Sequence, residues 1–266
     1  MNNDPVAVVD SGVGGLACLG AIRKAMPNEN IIYFGDTANM PYGTKSTEEI
    51  IGCADRFGKI LVGLGAKMII LACGTLSSTA IPFFYRNYPQ ILIQGVIDPA
   101  VGAVSRACKD GDRVGVIATP RSIESGAYQT AFERLSKKLQ VSYMGCPDLS
   151  VYIERGVTDG PEMEALLHSY LDKMVNEDGI ETLLLGCTHY PLVGECINRL
   201  YPNLKLIGPE AALAKSASVL LRVHGLDSGR EEEGSLDIFV SKKTESFALM
   251  ADRLGLGDYP VTEVEL

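Results

Sequence analysis

The chain has 266 residues, of which 46% are hydrophobic and 21% are charged, a balance typical of a folded globular protein. Its formal net charge is −9 and its basic residues are scattered, which argues against binding to nucleic acid or to an anionic membrane. No apolar run reaches the roughly 18 residues of a membrane span. The N-terminal stretch MNNDPVAVVD lacks the basic and apolar regions of a signal peptide, so we expect a cytoplasmic protein.

The cysteines are the first chemical feature of the chain. There are seven, an odd number, with no C-x-x-C pair and no regular spacing. This pattern argues against a disulfide framework or a structural zinc site. Each cysteine is therefore first interpreted as a small buried hydrophobic residue, unless its local sequence indicates a function.

Short apolar runs alternate with amphipathic segments along the whole chain, which predicts an α/β fold with mainly parallel sheets. The predicted strands are Val6–Asp10, Ile31–Gly35, Met68–Ala72, Ile91–Val96, Arg113–Ala118, Val141–Met144, Thr182–Gly186, Leu204–Ile207 and Leu236–Val240. The predicted helices are Leu16–Met26, Ser46–Leu64, Ser122–Leu139, Pro161–Glu177 and Pro209–His224. The charged stretch Asp227–Gly234 is interpreted as an exposed loop before a late strand.

Two segments of the chain resemble each other. MIILACGTLSS begins at Met68 and LLLGCTHYPLV begins at Leu183; each is an apolar strand followed by a small residue, cysteine, threonine and a predicted helix start. This echo predicts two pseudo-symmetric α/β lobes, with residues 1–97 and 208–266 in the lobe that carries Cys73 and residues 98–207 in the lobe that carries Cys187. Ligands of open α/β sheets bind beyond the carboxyl ends of the strands, so both cysteines are expected in a cleft between the lobes.

The strand-to-helix turn after the first strand reads Asp10-Ser11-Gly12-Val13-Gly14-Gly15. Backbone N–H groups in such a turn can bind an anion. The spacing matches neither the dinucleotide-binding nor the P-loop pattern. A tight turn without a ligand is an equally good interpretation at this stage.

Cys73 and Cys187 are predicted at helix N-termini, where N–H dipoles lower the pKa of a thiol and favour the thiolate. For a single Cys-x-Thr segment, a buried structural cysteine is the better interpretation. Two echoed segments, the second of which contains His189, favour a chemical role instead.

Two further segments contain candidate site residues. Met40-Pro41-Tyr42-Gly43 predicts a rigid loop that closes over a ligand, although a surface turn fits equally well. Glu154, in the segment YIERG, is a candidate supporting carboxylate, although a lone glutamate is usually only a solvated charge.

Two thiols on opposite faces of a carbon atom can invert its configuration. A thiolate removes the proton from one face, a thiol returns a proton to the other, and the roles exchange in the reverse reaction. Asp10 and His189 could assist the two thiols, and nearby backbone N–H groups could stabilise the developing charge. No lysine is marked for a pyridoxal Schiff base and no metal-ligand spacing is present, so we expect no cofactor.

The chain resembles the glutamate racemases of the aspartate/glutamate racemase superfamily. The resemblance follows the chain in order through VVDSGVGGL, IYFGDTANMPYGTKS, LACGT, GVI, RVGVIAT, SGAY, YIERG and LLLGCTHYPLV. It implies a homodimeric enzyme of two α/β lobes that converts L-glutamate to D-glutamate for peptidoglycan, without metal or pyridoxal phosphate.

The resemblance also implies roles for individual residues. Cys73 and Cys187 are the catalytic pair, assisted by Asp10 and His189, with Glu154 as a supporting acid. The implied substrate contacts are Asp10, Ser11, Pro41, Tyr42, Gly43, Gly74, Thr75, Thr119 and Thr188.

One departure from the family matters for function. After the first cysteine the family has Asn-Thr-Ala-Ser, whereas this chain has Gly74-Thr75-Leu76-Ser77. Loss of the asparagine amide would cost about 1.5–3 kcal/mol, or about 10- to 150-fold in binding or rate. We therefore expect Gly74→Asn to improve activity on glutamate, unless the glycine makes room for another amino acid.

Other functions stay open on the sequence. A catalytically weak binding or regulatory relative is one, although retention of both cysteines argues against it. A cysteine hydrolase would pair Cys187 with His189, yet residues at i and i+2 do not share a helix face. A zinc site built from both cysteines and His189 is the last alternative.

Overall fold

The computed structural model describes residues 2–265. Ten strands lie in these residues: β1 Val6–Asp10, β2 Ile31–Gly35, β3 Met68–Leu71, β4 Leu92–Gly95, β5 Arg113–Ala118, β6 Gln140–Gly145, β7 Thr182–Leu185, β8 Lys205–Ile207, β9 Leu236–Val240 and β10 Val261–Glu263. The α-helices are α1 Gly15–Ala25, α2 Thr47–Gly63, α3 Gly74–Asn87, α4 Ile97–Ala107, α5 Pro120–Glu124, α6 Ala127–Glu133, α7 Leu149–Glu154, α8 Pro161–Asn176, α9 Gly194–Leu200, α10 Glu210–Val223 and α11 Glu245–Arg253. Short 3₁₀ helices cover Tyr42–Thr44 and Tyr190–Val193. Within the described residues, no helix is both long enough and apolar enough to cross a membrane.

The strands form two separate sheets. The first has the order β10-β9-β2-β1-β3-β4 and the second has the order β6-β5-β7-β8. Every strand pairing in both sheets is parallel. The predicted α/β fold with mainly parallel sheets is therefore confirmed.

The two sheets repeat one arrangement. In the first, β1 pairs with β2 on one side and β3 on the other; in the second, β5 pairs with β6 and β7 in the same way. β4 and β8 then extend the corresponding edges. The first sheet differs by carrying β9 and β10 beyond β2, and these strands come from the C-terminal part of the chain.

Apolar packing on both faces explains why β1 forms. All five of its residues are buried, as expected for a strand inside a parallel sheet covered by helices. Val6 and Val8 pack into one core cluster, together with residues of α1 and α10. Ala7 and Val9 pack into a second cluster, with residues of α2 and α3 on the opposite face.

The helix predicted over Ser122–Leu139 is wrong. The segment forms α5 and α6, separated by Gly126, whose φ of 72° places it in the left-handed region. The chain beyond α6 is irregular until β6 begins. The sequence pattern also did not predict α4, α7, α11 or β10. The stretch Asp227–Gly234 lies outside helices and strands, as predicted.

Candidate active site

The carboxyl ends of the two sheets border one cavity. Its lining residues are Ser11, Pro41, Tyr42, Gly43, Cys73, Gly74, Thr75, Thr119, Ser150, Glu154, Gly186, Cys187, Thr188 and His189. Every predicted site residue is in this set except Asp10. Ser150 and Gly186 were not predicted; Gly186 directly precedes Cys187, whereas nothing in the sequence distinguishes Ser150, one helical turn before Glu154.

Cys187 lies two residues beyond the end of β7 and is 9% exposed. Its Sγ is 3.6 Å from Nδ1 of His189, and Nε2 of His189 is 2.9 Å from Oε1 of Glu154. The three side chains thus form a continuous thiol–imidazole–carboxylate row. The argument that residues at i and i+2 rarely pair on a helix does not apply here, because this segment is a turn before a 3₁₀ helix rather than an α-helix.

His189 is buried, and burial alone would lower the pKa of its imidazole. Its hydrogen bonds to Cys187 and Glu154 outweigh this effect and raise the pKa of His189 well above its ordinary value. A protonated imidazole therefore lies 3.6 Å from Sγ of Cys187. Both side chains belong to the second lobe, the part of the molecule built on the second sheet.

Cys73 lies two residues beyond β3 and is the N-cap residue of α3. Burial first, and then the charge of Asp10, raise the pKa of the Cys73 thiol to about 12, although the Leu76 amide and the Ser11 hydroxyl oppose this shift. The predicted lowering by a helix N-terminus is therefore wrong at this position, because burial and a neighbouring carboxylate outweigh the helix dipole. Cys73 is held as a thiol on the first lobe, which is built on the first sheet.

Asp10 ends β1 and is fully buried behind the cavity. Its carboxylate accepts hydrogen bonds from the backbone N–H of Gly12 at 2.9 Å and from the Thr188 hydroxyl at 3.2 Å. Burial raises its pKa, while the charge of His189 and the bond from Gly12 oppose the increase. Asp10 thus connects the two lobes and acts electrostatically on Cys73, without lining the cavity.

A hydroxyl network crosses from one lobe to the other. Thr75 Oγ1 is 2.9 Å from Thr119 Oγ1 and 3.3 Å from Ser122 Oγ, and the latter two atoms are 2.8 Å apart. All three residues are buried. Ser122 was not predicted; its position three residues after Thr119, the N-cap of α5, is the only signal that could have indicated it.

Gly74 is pressed against the opposite lobe. A Cβ atom on Gly74 would lie 2.7 Å from the carbonyl oxygen of Gly186, closer than such atoms approach one another in proteins. That carbonyl is itself held by the Tyr128 hydroxyl, which donates to it at 2.9 Å. The space that an asparagine side chain would need is therefore occupied by protein, and Gly74 does not open room for a larger substrate.

Comparisons with known proteins identify the family of this chain. The family model for Asp/Glu/hydantoin racemase matches residues 17–217. The glutamate racemase of Desulforudis audaxviator is 36% identical, over 99% of this chain and 98% of that protein. The glutamate racemase of Carboxydothermus hydrogenoformans is 34% identical, over 91% of this chain and 88% of that protein.

Solved structures give the same result. Glutamate racemase from Francisella tularensis, in complex with D-glutamate, is 32% identical with a TM-score of 0.91, over 100% of this chain and 98% of that chain. Glutamate racemase isoform RacE1 from Bacillus anthracis is 30% identical with a TM-score of 0.92, over 100% of this chain and 99% of that chain. Fold and sequence agree, and the chain belongs to the Asp/Glu/hydantoin racemase family, among its glutamate racemases.

Proposed function

We propose that this chain interconverts L- and D-glutamate by a two-base mechanism in which Cys73 and Cys187 exchange the α-proton. One observation carries the proposal: two thiols, each following a strand of a different sheet, line the same cavity. A pair of opposed acid–base groups is the requirement for inverting a carbon atom.

In the direction from L-glutamate, the Cys187 thiolate removes the α-proton, so that the Cα–H bond breaks and an S–H bond forms. The Cys73 thiol then gives its proton to the opposite face of the carbanion and becomes the thiolate. The protonated imidazole of His189 lies beside Sγ of Cys187, and the raised pKa of Cys73 keeps its proton available until the carbanion forms. The reverse reaction exchanges these roles.

Hydroxyl and backbone N–H groups are proposed to bind the substrate carboxylates. The described lining residues include no lysine or arginine, and His189 is already hydrogen-bonded to Cys187 and Glu154. Ser11, Thr75, Thr119 and Thr188 are proposed as the hydroxyl contacts. Directed N–H and O–H groups of this kind stabilise negative charge that develops next to a carboxylate.

Glutamate is proposed as the substrate rather than another amino acid. The alternative depended on Gly74 making room for a different side chain. The carbonyl of Gly186 fills that space, so the argument for another substrate loses its structural basis. The relatives named above, all glutamate racemases, support the same choice.

The wider role follows the family resemblance. We propose that the enzyme works in the cytoplasm as a homodimer and supplies D-glutamate for peptidoglycan. We also propose the lobe boundaries given above, residues 1–97 with 208–266 and residues 98–207. The origin of the sheets supports them, because β1–β4, β9 and β10 form the first sheet and β5–β8 form the second.

A chiral assay tests the proposal. The purified chain, dialysed against chelator and given pure L-glutamate without cofactor, should form D-glutamate until the two isomers are equal. In deuterium oxide, the product should carry deuterium while the remaining substrate stays protonated at early times. Loss of activity that added metal or pyridoxal phosphate restores would refute the thiol mechanism, and equal label in substrate and product would show a single base.

A further inference from the structure

The carboxylate of Asp36 has no part in the proton transfer above, yet it is fully buried one residue beyond β2. Its Oδ2 accepts a hydrogen bond from the Tyr42 hydroxyl at 2.5 Å. Its Oδ1 accepts from the Asn39 amide at 2.9 Å and from the Ser241 hydroxyl at 2.7 Å. A buried carboxylate is costly unless it is paired or hydrogen-bonded, so three converging donors indicate a specific structural task.

The hydrogen-bond donors to Asp36 identify the segment that this carboxylate holds in place. Asn39 and Tyr42 lie in residues 37–43, the segment that follows Asp36 and runs into the 3₁₀ helix Tyr42–Thr44; we call this segment the wall loop. Pro41, Tyr42 and Gly43 of the wall loop line the cavity. The Tyr42 hydroxyl is directed to Asp36, and burial together with the charge of Asp36 raises the pKa of Tyr42, so the phenol stays protonated as a donor. Tyr42 thus anchors the loop through its hydroxyl.

The third donor comes from the far end of the chain. Ser241 directly follows β9, and its hydroxyl also accepts a hydrogen bond from the Ala38 amide at 2.8 Å. Next to it, the Thr37 hydroxyl donates to the Lys242 carbonyl and accepts from the Lys242 amide. The wall loop is therefore fastened at its start to the residues that follow β9.

Backbone hydrogen bonds extend this connection towards the thiol of the first lobe. The Ser241 amide donates to the Gly35 carbonyl, and the Asp36 amide donates to the Asp10 carbonyl, each at 3.0 Å. On its other side the wall loop meets the second lobe, since a Cβ on Gly43 would lie 3.0 Å from the Thr119 side chain. A small shift of the loop therefore changes the fit of the cavity wall.

We propose that Asp36 and Ser241 are positioning residues for glutamate racemisation: together they fix the wall loop against the cavity. The inference rests on the proposed function. Neither side chain lines the cavity, so their removal should weaken substrate binding more than it slows proton transfer.

Kinetics of the full-length chain test this inference. Ser241→Ala removes the hydroxyl that bridges Asp36 and Ala38, and KM for both enantiomers should rise about 10-fold while kcat changes by less than about 3-fold. Ser241→Thr retains the hydroxyl and should restore KM. Asp36→Asn should raise KM further, because all three partners are donors and one must then face the new amide N–H₂.

Ser235→Ala is the matched control. Ser235 lies just before β9, at the opposite end of the strand, and its hydroxyl bonds to Asn30 at 3.1 Å. This variant should keep the wild-type KM, because the bond of this exposed serine is to Asn30 and not to the wall loop. If Ser241→Ala and Ser235→Ala have equal KM values while the wild type racemises glutamate, this inference is overturned and the proposed function stands. A wild-type chain that does not racemise glutamate overturns the proposed function and this inference with it.

Discussion

Cys73 and Cys187 occupy corresponding places in the two sheets, two residues beyond β3 and beyond β7. Their neighbours differ. β1, which pairs with β3, ends at Asp10. β5, which pairs with β7, is followed by Thr119. Cys73 is the N-cap of the 14-residue helix α3. Cys187 instead precedes a short 3₁₀ helix, and His189 at the start of that helix lies against the sulfur of Cys187.

The surroundings of the two sulfur atoms therefore differ in charge. Burial and the buried carboxylate of Asp10 raise the pKa of Cys73, whereas the side chain next to Cys187 is a protonated imidazole. A racemase needs one acid and one base at the start of each turnover. The two lobes thus provide equal positions for the sulfur atoms and unequal environments for their protons.

Removal of either thiol should have the largest effect on racemisation. Cys73→Ala and Cys187→Ala should each slow racemisation by about 10³-fold or more, because each direction needs both an acid and a base. A glutamate analogue with a leaving group on the β-carbon needs only the first deprotonation. Elimination from the L-analogue should survive in Cys73→Ala, and elimination from the D-analogue should survive in Cys187→Ala.

Cys108→Ala is the control for these variants, since Cys108 is buried at the end of α4 and away from the cavity. It should racemise glutamate as the wild type does. If both active-site variants kept elimination from the same enantiomer, the two thiols would not face opposite sides of the substrate.

Gly74 tests the point where the two lobes meet. Gly74→Ala and Gly74→Asn should each cost about 1–3 kcal/mol of stability by overpacking against the Gly186 carbonyl. This overpacking should also displace the neighbouring thiols of Cys73 and Cys187. It should thereby lower kcat/KM by about 10-fold, the equivalent of about 1.4 kcal/mol. Urea unfolding and the chiral assay measure the two effects.

The prediction for Gly74→Asn replaces the improvement expected from the sequence. Gly20→Ala is the control: a Cβ atom on Gly20, in α1, would have nothing within 4 Å, so the change should stabilise the protein by about 0.4–1 kcal/mol. A Gly74→Asn variant as active as the wild type would contradict the packing argument.

Glu154→Gln tests the surroundings of Cys187 and should have a smaller effect than removal of either thiol. In the folded chain the pKa of His189 is raised, so the stability gained from its charge is complete below its ordinary pKa of about 6.5 and is lost as pH rises through the folded-state pKa. Removing the charge of Glu154 lowers that pKa and costs about 1.4 kcal/mol per unit. The stability difference from wild type should therefore be largest near pH 6 and shrink at alkaline pH.

Unfolding by urea at a series of pH values measures this difference, and elimination from the L-analogue should fall more than elimination from the D-analogue. Glu232→Gln, in the exposed loop before β9, removes an equal charge away from His189 and should show no such pH dependence. A stability difference independent of pH would mean that Glu154 does not act through His189.

Much of the fold was predictable from local sequence. β1, β2, β5 and β9 have the predicted bounds, because each is a short, largely apolar run that ends at, or just before, a small or polar residue. β10 was not predicted, since its three residues lie at a sheet edge and are mostly exposed. The helix predicted over Ser122–Leu139 is interrupted at Gly126. This glycine has a left-handed backbone conformation that belongs to a turn, and the apolar pattern does not indicate that turn.

The members of the site were predictable, whereas several of their relations were not. The two echoed segments locate both thiols at strand ends. The contact of Gly74 with Gly186 and the bond of Ser241 to Asp36 join residues that are distant in sequence, and no periodicity encodes such approaches. The high pKa of Cys73 likewise depends on burial, which only the packed lobes create.

The C-terminal strands have a consequence for biosynthesis. β9 pairs with β2, so during translation the edge of β2, with its apolar sequence IIYFG, stays unpaired until the ribosome has delivered Leu236–Val240. The strands of the second sheet all emerge earlier, between Arg113 and Ile207. That sheet can therefore assemble while the first is still incomplete. A nascent or truncated chain without β9 exposes an apolar edge to other chains, which makes the segment from Leu236 onward a protection against aggregation.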